Sequence, residues 1–181
     1  MVALDLLLVE NQFPMGAGEF FRCKLYSHSS EYFKASELEL DLWTYGLAII
    51  DCYFAKDKVP EDVKKRAEEF IWQEWRDVNR TRHFDSFTDL INASKNLGAI
   101  LESTDSPAGL ILAEQAKKLR IPFLVTAHQT GLADLIKGYC ERKSYPLFYS
   151  GEQREEKSKP EYWQRVYDKL MKQMEKGRGR K

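Results

Sequence analysis

Three short runs constrain the fold more than anything else in this chain. Residues 4–9 (LDLLLV), 47–50 (LAII) and 121–126 (IPFLVT) are of strand length and almost continuously apolar. A strand with one wet face alternates apolar and polar residues. A run without alternation is expected where both faces are buried, as in a parallel sheet covered by helices.

Segments of helical period lie between and after these runs. Pro60 suits a first helical turn, and Glu61 and Asp62 follow it where the helix dipole favours carboxylates. Val63, Ala67, Phe70, Ile71, Trp75 and Val78 then recur at three- and four-residue steps, which makes one side of that helix apolar. Residues 85–97 predict a second helix, and residues 99–101 a short strand. Asp105 or Ser106 is positioned to cap a helix over residues 108–119, with Pro107 in its first turn. Residues 131–139 predict a short helix. Residues 145–149 predict an edge strand, because Pro146 cannot donate a ladder hydrogen bond. Pro160 opens a last helix with Tyr162, Trp163, Val166, Tyr167, Leu170 and Met171 on its apolar side. Near the start, residues 18–25 have helical potential and residues 31–35 read as a weak strand.

This alternation predicts an α/β class, a doubly wound parallel sheet of about five strands in the flavodoxin-like arrangement. Residues 1–181 read as one domain, with a helical insertion at 58–98. Apolar residues make up 43% of the chain and charged residues 31%, a balance that suits a packed core under a solvated surface. Lys plus Arg (28) equals Asp plus Glu (28), so no bulk field favours nucleic acid or an anionic membrane. No apolar run approaches the ~18 residues of a membrane span. Cys23, Cys52 and Cys140 form no CxxC pair, which argues against a zinc site or a disulfide framework and fits a reducing compartment. The first residues lack a basic lead and a cleavage pattern, so a cytoplasmic location is expected.

In such sheets ligands gather outside the carboxyl ends of the strands. Glu10, Asn11, Asp51, Thr126 and Ser150 stand there. Glu10 and Asp51 would end neighbouring strands, and two close carboxylates can share Mg²⁺, a cation that wants oxygen ligands. The same cation would neutralise a phosphoryl group carried on Asp51, with the Thr126 hydroxyl beside it. The plainer reading leaves these residues as polar strand ends facing water.

LLLVEN (6–11), LAIIDCY (47–53) and SPAGLILAEQAKKLRIPFLVTAH (106–128) resemble pieces of a response-regulator receiver domain. The resemblance implies phosphorelay signalling with Asp51 as phospho-acceptor. Glu10 is then the acidic-pair member with Asn11 beside it, Tyr53 lends a backbone carbonyl to Mg²⁺, and Thr126 is the switch hydroxyl. A histidine kinase or another signalling protein is the implied partner. The inserted helices would offer a surface for protein–protein interaction or a homodimer. Two features depart from the family. About fifty residues separate Cys52 from Asp105, where the family passes almost directly to the Pro-x-Gly helix. The family's lysine after the fifth strand is missing from YPLFYSG (145–151), and Lys157 and Lys159-Pro160 stand several residues later. These departures imply an atypical receiver, or a pseudo-receiver that works without phosphorylation.

A second reading is a Rossmann-like enzyme acting on a nucleotide or nucleoside. Its support is the Gly16/Gly18 loop and the STDSPAG stretch (103–109) at a helix N-terminus, where free N–H groups favour phosphate. Glu102, Asp105 and His128 lie nearby. A third is an interaction domain with no small-molecule site. Gly16-Ala17-Gly18 lacks the third glycine of a dinucleotide fingerprint and reads as a tight turn. His128 reads as a solvated loop residue, and Cys52 as a small packing residue.

Overall fold

The computed structural model describes residues 6–9, 47–80, 91, 94–95, 98, 102–128, 132–150, 157 and 159–178. Strand β1 (Leu6–Val9) is followed by β2 (Leu47–Asp51) and by a two-residue strand, β3 (Phe54–Ala55). Helix α1 spans Glu61–Arg80. A second two-residue strand, β4 (Asp105–Ser106), leads into α2 (Gly109–Lys118). Then come β5 (Phe123–His128), α3 (Ala133–Lys143), β6 (Leu147–Ser150) and α4 (Pro160–Arg178).

The four longer strands form one sheet in the order β1-β2-β5-β6, and every pairing in it is parallel. The expected mixed α/β architecture is therefore present. The sheet has four strands among the described residues rather than five. The weak strand at 31–35, the helix at 18–25 and the strand at 99–101 lie outside the described residues. So does most of the helix at 85–97, of which Ile91, Ser94 and Lys95 are described and helical.

The side chains of β2 and β5 explain why their sequences do not alternate. Ala48, Ile50, Phe123, Val125 and Ala127 enter one core cluster with the apolar sides of α1, α2 and α3. Leu47, Ile49 and Leu124 enter a second, with Tyr162, Trp163, Val166 and Leu170 of α4. Helices thus pack on both faces, and a central strand needs apolar residues at every position. Helix α1 belongs to this layer. Its Val63, Ala67 and Ile71 are buried in the same cluster as Ile50, so the apolar side of the expected insertion is used inside the fold.

Helices α2 and α3 end alike. The N–H of Ile121 donates to the Ala116 carbonyl (2.9 Å), and that of Tyr145 to the Cys140 carbonyl (2.8 Å). Each closure passes through a left-handed residue, Arg120 (φ 59°) and Ser144 (φ 54°), which turns the chain back toward the next strand. Neither is glycine, so the stop was not visible in the sequence, and α3 runs on to Lys143 rather than ending at residue 139.

The expected cap of α2 is corrected. Asp105 and Ser106 form β4, which pairs antiparallel with β3 through Phe54↔Ser106 and Ala55↔Asp105. The residue before the helix is Ala108, with no side-chain capping bond. Among the described residues no helix is long and apolar enough to cross a membrane.

Candidate functional site

The face of the sheet that meets α4 changes character at its carboxyl end. Leu47 and Ile49 of β2 are apolar and buried against α4, and the next residue on that face is Asp51. In β5 Leu124 is followed on the same face by Thr126, and in β6 Phe148 is followed by Ser150. The opposite face stays apolar to its end, through Ile50, Cys52, Val125 and Ala127. Strand alternation thus gathers the polar side chains on one face at one edge.

Asp51 and Thr126 are partners in the β2–β5 register. Thr126 is fully buried, and Asp51 is 3% exposed. The Cys52 N–H donates to the Thr126 carbonyl at 2.9 Å, which continues the ladder one residue past Asp51. Lys157 brings the cation. Its Nζ lies 3.1 Å from Asp51 Oδ2, with both side chains almost wholly out of water. Asp51 Oδ1, Thr126 Oγ1 and Ser106 Oγ are buried and have no hydrogen-bond partner among the described residues. Such groups carry a desolvation cost when left unmade, and they mark where a polar ligand would be accepted.

The cation beside Asp51 thus comes from beyond β6 in the sequence. Trp163 holds it there. The indole N–H of Trp163 donates to the Lys157 carbonyl at 2.7 Å. Trp163 itself is fully buried, with its ring edge-on to Tyr162 at 5.1 Å. Sequence spacing alone gave no signal of this arrangement.

Gly109 fixes the other side of Asp51. Its N–H donates to the Cys52 carbonyl at 3.1 Å. A Cβ there would stand 1.9 Å from the Asp51 carbonyl oxygen and 2.9 Å from Cys52 Cα. The glycine of Pro107-Ala108-Gly109 thus lets α2 start directly against the backbone of the acidic strand end.

Among the other expected site residues, Tyr53 is buried two positions beyond Asp51, with its ring edge-on to His128 at 5.1 Å. His128 is the last residue of β5 and half-buried, not a solvated loop residue, because the strand runs two residues past Thr126 to pair with Ser150. Glu10 follows Val9 in sequence and lies outside the described residues. The unpartnered Asp51 Oδ1 is an oxygen of the kind Mg²⁺ accepts. The described residues hold no group of three or more His, Cys, Asp and Glu side chains able to bind a metal.

Two further features narrow the chemistry. Burial pushes the Cys52 thiol well above its ordinary value, with Cys140 and Asp51 acting in the same direction and Lys157 against them, which disfavours the thiolate a nucleophile would need. The N-terminus of α2 offers little to a phosphate. The Gly109 N–H goes to Cys52, that of Leu110 to the Pro107 carbonyl and that of Ile111 to the Ala108 carbonyl. The Ser103 hydroxyl donates to the Asp105 carbonyl at 2.8 Å. The STDSPAG stretch is folded onto itself and onto β3.

The chain matches no protein-family model, no curated protein and no solved structure.

Proposed function

We propose that this chain is a receiver-like signalling domain of the atypical kind, with Asp51 as the acceptor of a phosphoryl group. One observation carries the reading: a buried aspartate at a strand's carboxyl end is paired with a lysine at 3.1 Å while its second oxygen has no partner among the described residues. A merely structural ion pair would be expected to satisfy both oxygens.

In this reading Asp51 Oδ1 forms the new O–P bond. The P–N bond of a phosphohistidine breaks, and its electron pair stays on the imidazole nitrogen, which takes up a proton. Lys157 balances the added negative charge, and the Thr126 hydroxyl donates to a phosphoryl oxygen. Mg²⁺, when bound, would supply further neutralisation of the phosphoryl oxygens. The Asp51 carboxylate and the Tyr53 carbonyl would hold it before transfer, and Glu10 is the second carboxylate the resemblance implies. With the short strand expected at 99–101 set aside, the four parallel strands are the first, third, fourth and fifth expected from the sequence, the order a five-stranded flavodoxin-like sheet would have with the weak strand outside β1.

The test is NMR with beryllium fluoride and Mg²⁺ added to the whole chain. Saturable shifts of the Asp51 and Thr126 amides, lost in Asp51→Asn, are expected. Spectra unchanged at saturating beryllium fluoride would remove the acceptor role.

A further inference from the structure

We infer that Trp163 is a positioning residue for the Asp51–Lys157 pair, and that α4 is thereby coupled to the charge state of Asp51. The inference deepens the reading of Asp51 as an acceptor and rests on it for its biological use, although the coupling is testable without any ligand.

Lys157 is held at both ends. Its ammonium meets Asp51 Oδ2 at 3.1 Å, and its carbonyl accepts the Trp163 indole N–H at 2.7 Å. The residue is 8% exposed, so neither end has water as a ready substitute. A lysine stem is flexible in water, but one this buried is confined by its neighbours, so a displacement at its tip is passed toward its backbone. One anchor is the carboxyl end of β2. The other sits in the first turn of α4, where Pro160 begins the helix and the Tyr162 N–H donates to the Lys159 carbonyl at 3.2 Å.

The indole has little freedom to follow by rotating. Trp163 is fully buried, and it shares a cluster with Leu47, Ile49 and Leu124 on the sheet. In a close-packed interior such a side chain moves with its helix rather than within it. Any group added to Asp51 that draws the ammonium to a new position also pulls on the Lys157 carbonyl. The strain is relieved at the start of α4. The outward side of α4, with Glu161, Gln164, Arg165 and Asp168 exposed, is then the surface whose position reports the state of Asp51.

The experiment follows the indole N–H resonance of Trp163 in the whole chain, assigned by its loss in Trp163→Phe. Asp51→Asn and Lys157→Met are each compared with the unaltered chain, and so is the double variant. The coupling predicts that both single variants displace the Trp163 indole signal more than those of the other three tryptophans. It also predicts that the double variant matches Lys157→Met alone, because the Asp51 charge acts through the lysine. A merely structural indole–carbonyl bond leaves the signal where it was in Asp51→Asn, and that result overturns the proposal. Beryllium fluoride forms a separate arm. If the Asp51→Asn shift is present and beryllium fluoride does nothing, the coupling stands and the acceptor reading falls.

Discussion

Replacing Gly109 with alanine sets two opposed effects against each other, and the geometry decides between them. Alanine is the better helix former by up to about 1 kcal/mol. The added Cβ, however, would lie 1.9 Å from the Asp51 carbonyl oxygen and 2.8 Å from its carbon. Ordinary contact begins at 3.4 Å, so helix and strand must part by about 1.5 Å along that line. The obstacle is backbone in a central strand and cannot rotate away. Overpacking of this kind costs about 1–3 kcal/mol. The separation also breaks the Gly109 N–H to Cys52 carbonyl bond, now 3.1 Å, at a further cost of about 1 kcal/mol. With the helix-propensity gain set against these costs, the net expectation is a loss of about 1–3 kcal/mol, or roughly 2–12 °C in Tm at this chain length. Thermal melts followed by circular dichroism, with urea midpoints beside them, measure it. On the proposed acceptor reading, the lost stability should come with weakened beryllium fluoride shifts at Asp51, since the same movement displaces the end of β2. A variant melting at or above the parent temperature would refute the close approach of α2 to β2.

Three other outcomes are expected. Lys157→Met leaves a buried carboxylate unpaired and should destabilise the fold by about 3–5 kcal/mol, with most of the loss recovered in the double variant with Asp51→Asn; urea unfolding of the three proteins checks it, and equal losses in single and double variants would mean the pair is not buried. Cys52 and Cys140 should stay unmodified by a thiol reagent in the folded protein, because both are buried and burial pushes the Cys140 thiol up to about 12; peptide mapping reads this, and rapid native labelling of Cys52 would contradict it. Glu74, buried where α1 meets α3 and bonded to Arg142, has its carboxyl pushed up by burial, against the opposing pull of the Arg142 charge. A carboxyl raised in the folded state binds more protons there than in the unfolded chain. Glu74 therefore adds stability as pH falls from its folded value toward the ordinary 4.5, and this contribution is absent above that window. Urea midpoints across that range should rise less on acidification in Glu74→Gln, and identical slopes would show that Arg142 fully offsets the burial.

The parts of the fold legible in the sequence are those whose physics is periodic. Continuous apolar runs located β2 and β5 because a strand buried on both faces has nowhere to put a polar residue. Pro60 and Pro160 marked the starts of α1 and α4, since proline fits a first turn and nothing later in a helix. Asp51 and Thr126 were legible for the same reason: each is the first polar residue on its face after an apolar run. The β3–β4 pair was not. Two residues are too short to show a period, and Asp105 and Ser106 have the composition of a helix cap as well as of a strand. The true end of α3 was hidden because Ser144 takes the left-handed conformation usually marked by glycine.

Lys157 shows why sequence spacing alone does not reveal which cation will meet a buried carboxylate. A lysine side chain can be delivered by any segment whose backbone is held nearby, and here the holding bond comes from a tryptophan six residues farther on. The indole N–H is a single donor that must find an acceptor when buried, and the Lys157 carbonyl is the acceptor it has. Burying Trp163 against Leu47 and Ile49 and placing a cation on Asp51 are consequently one requirement, met by the same few residues. A polar partner for Asp51 is thus specified by packing on the α4 face, two residues along β2 from the acid itself.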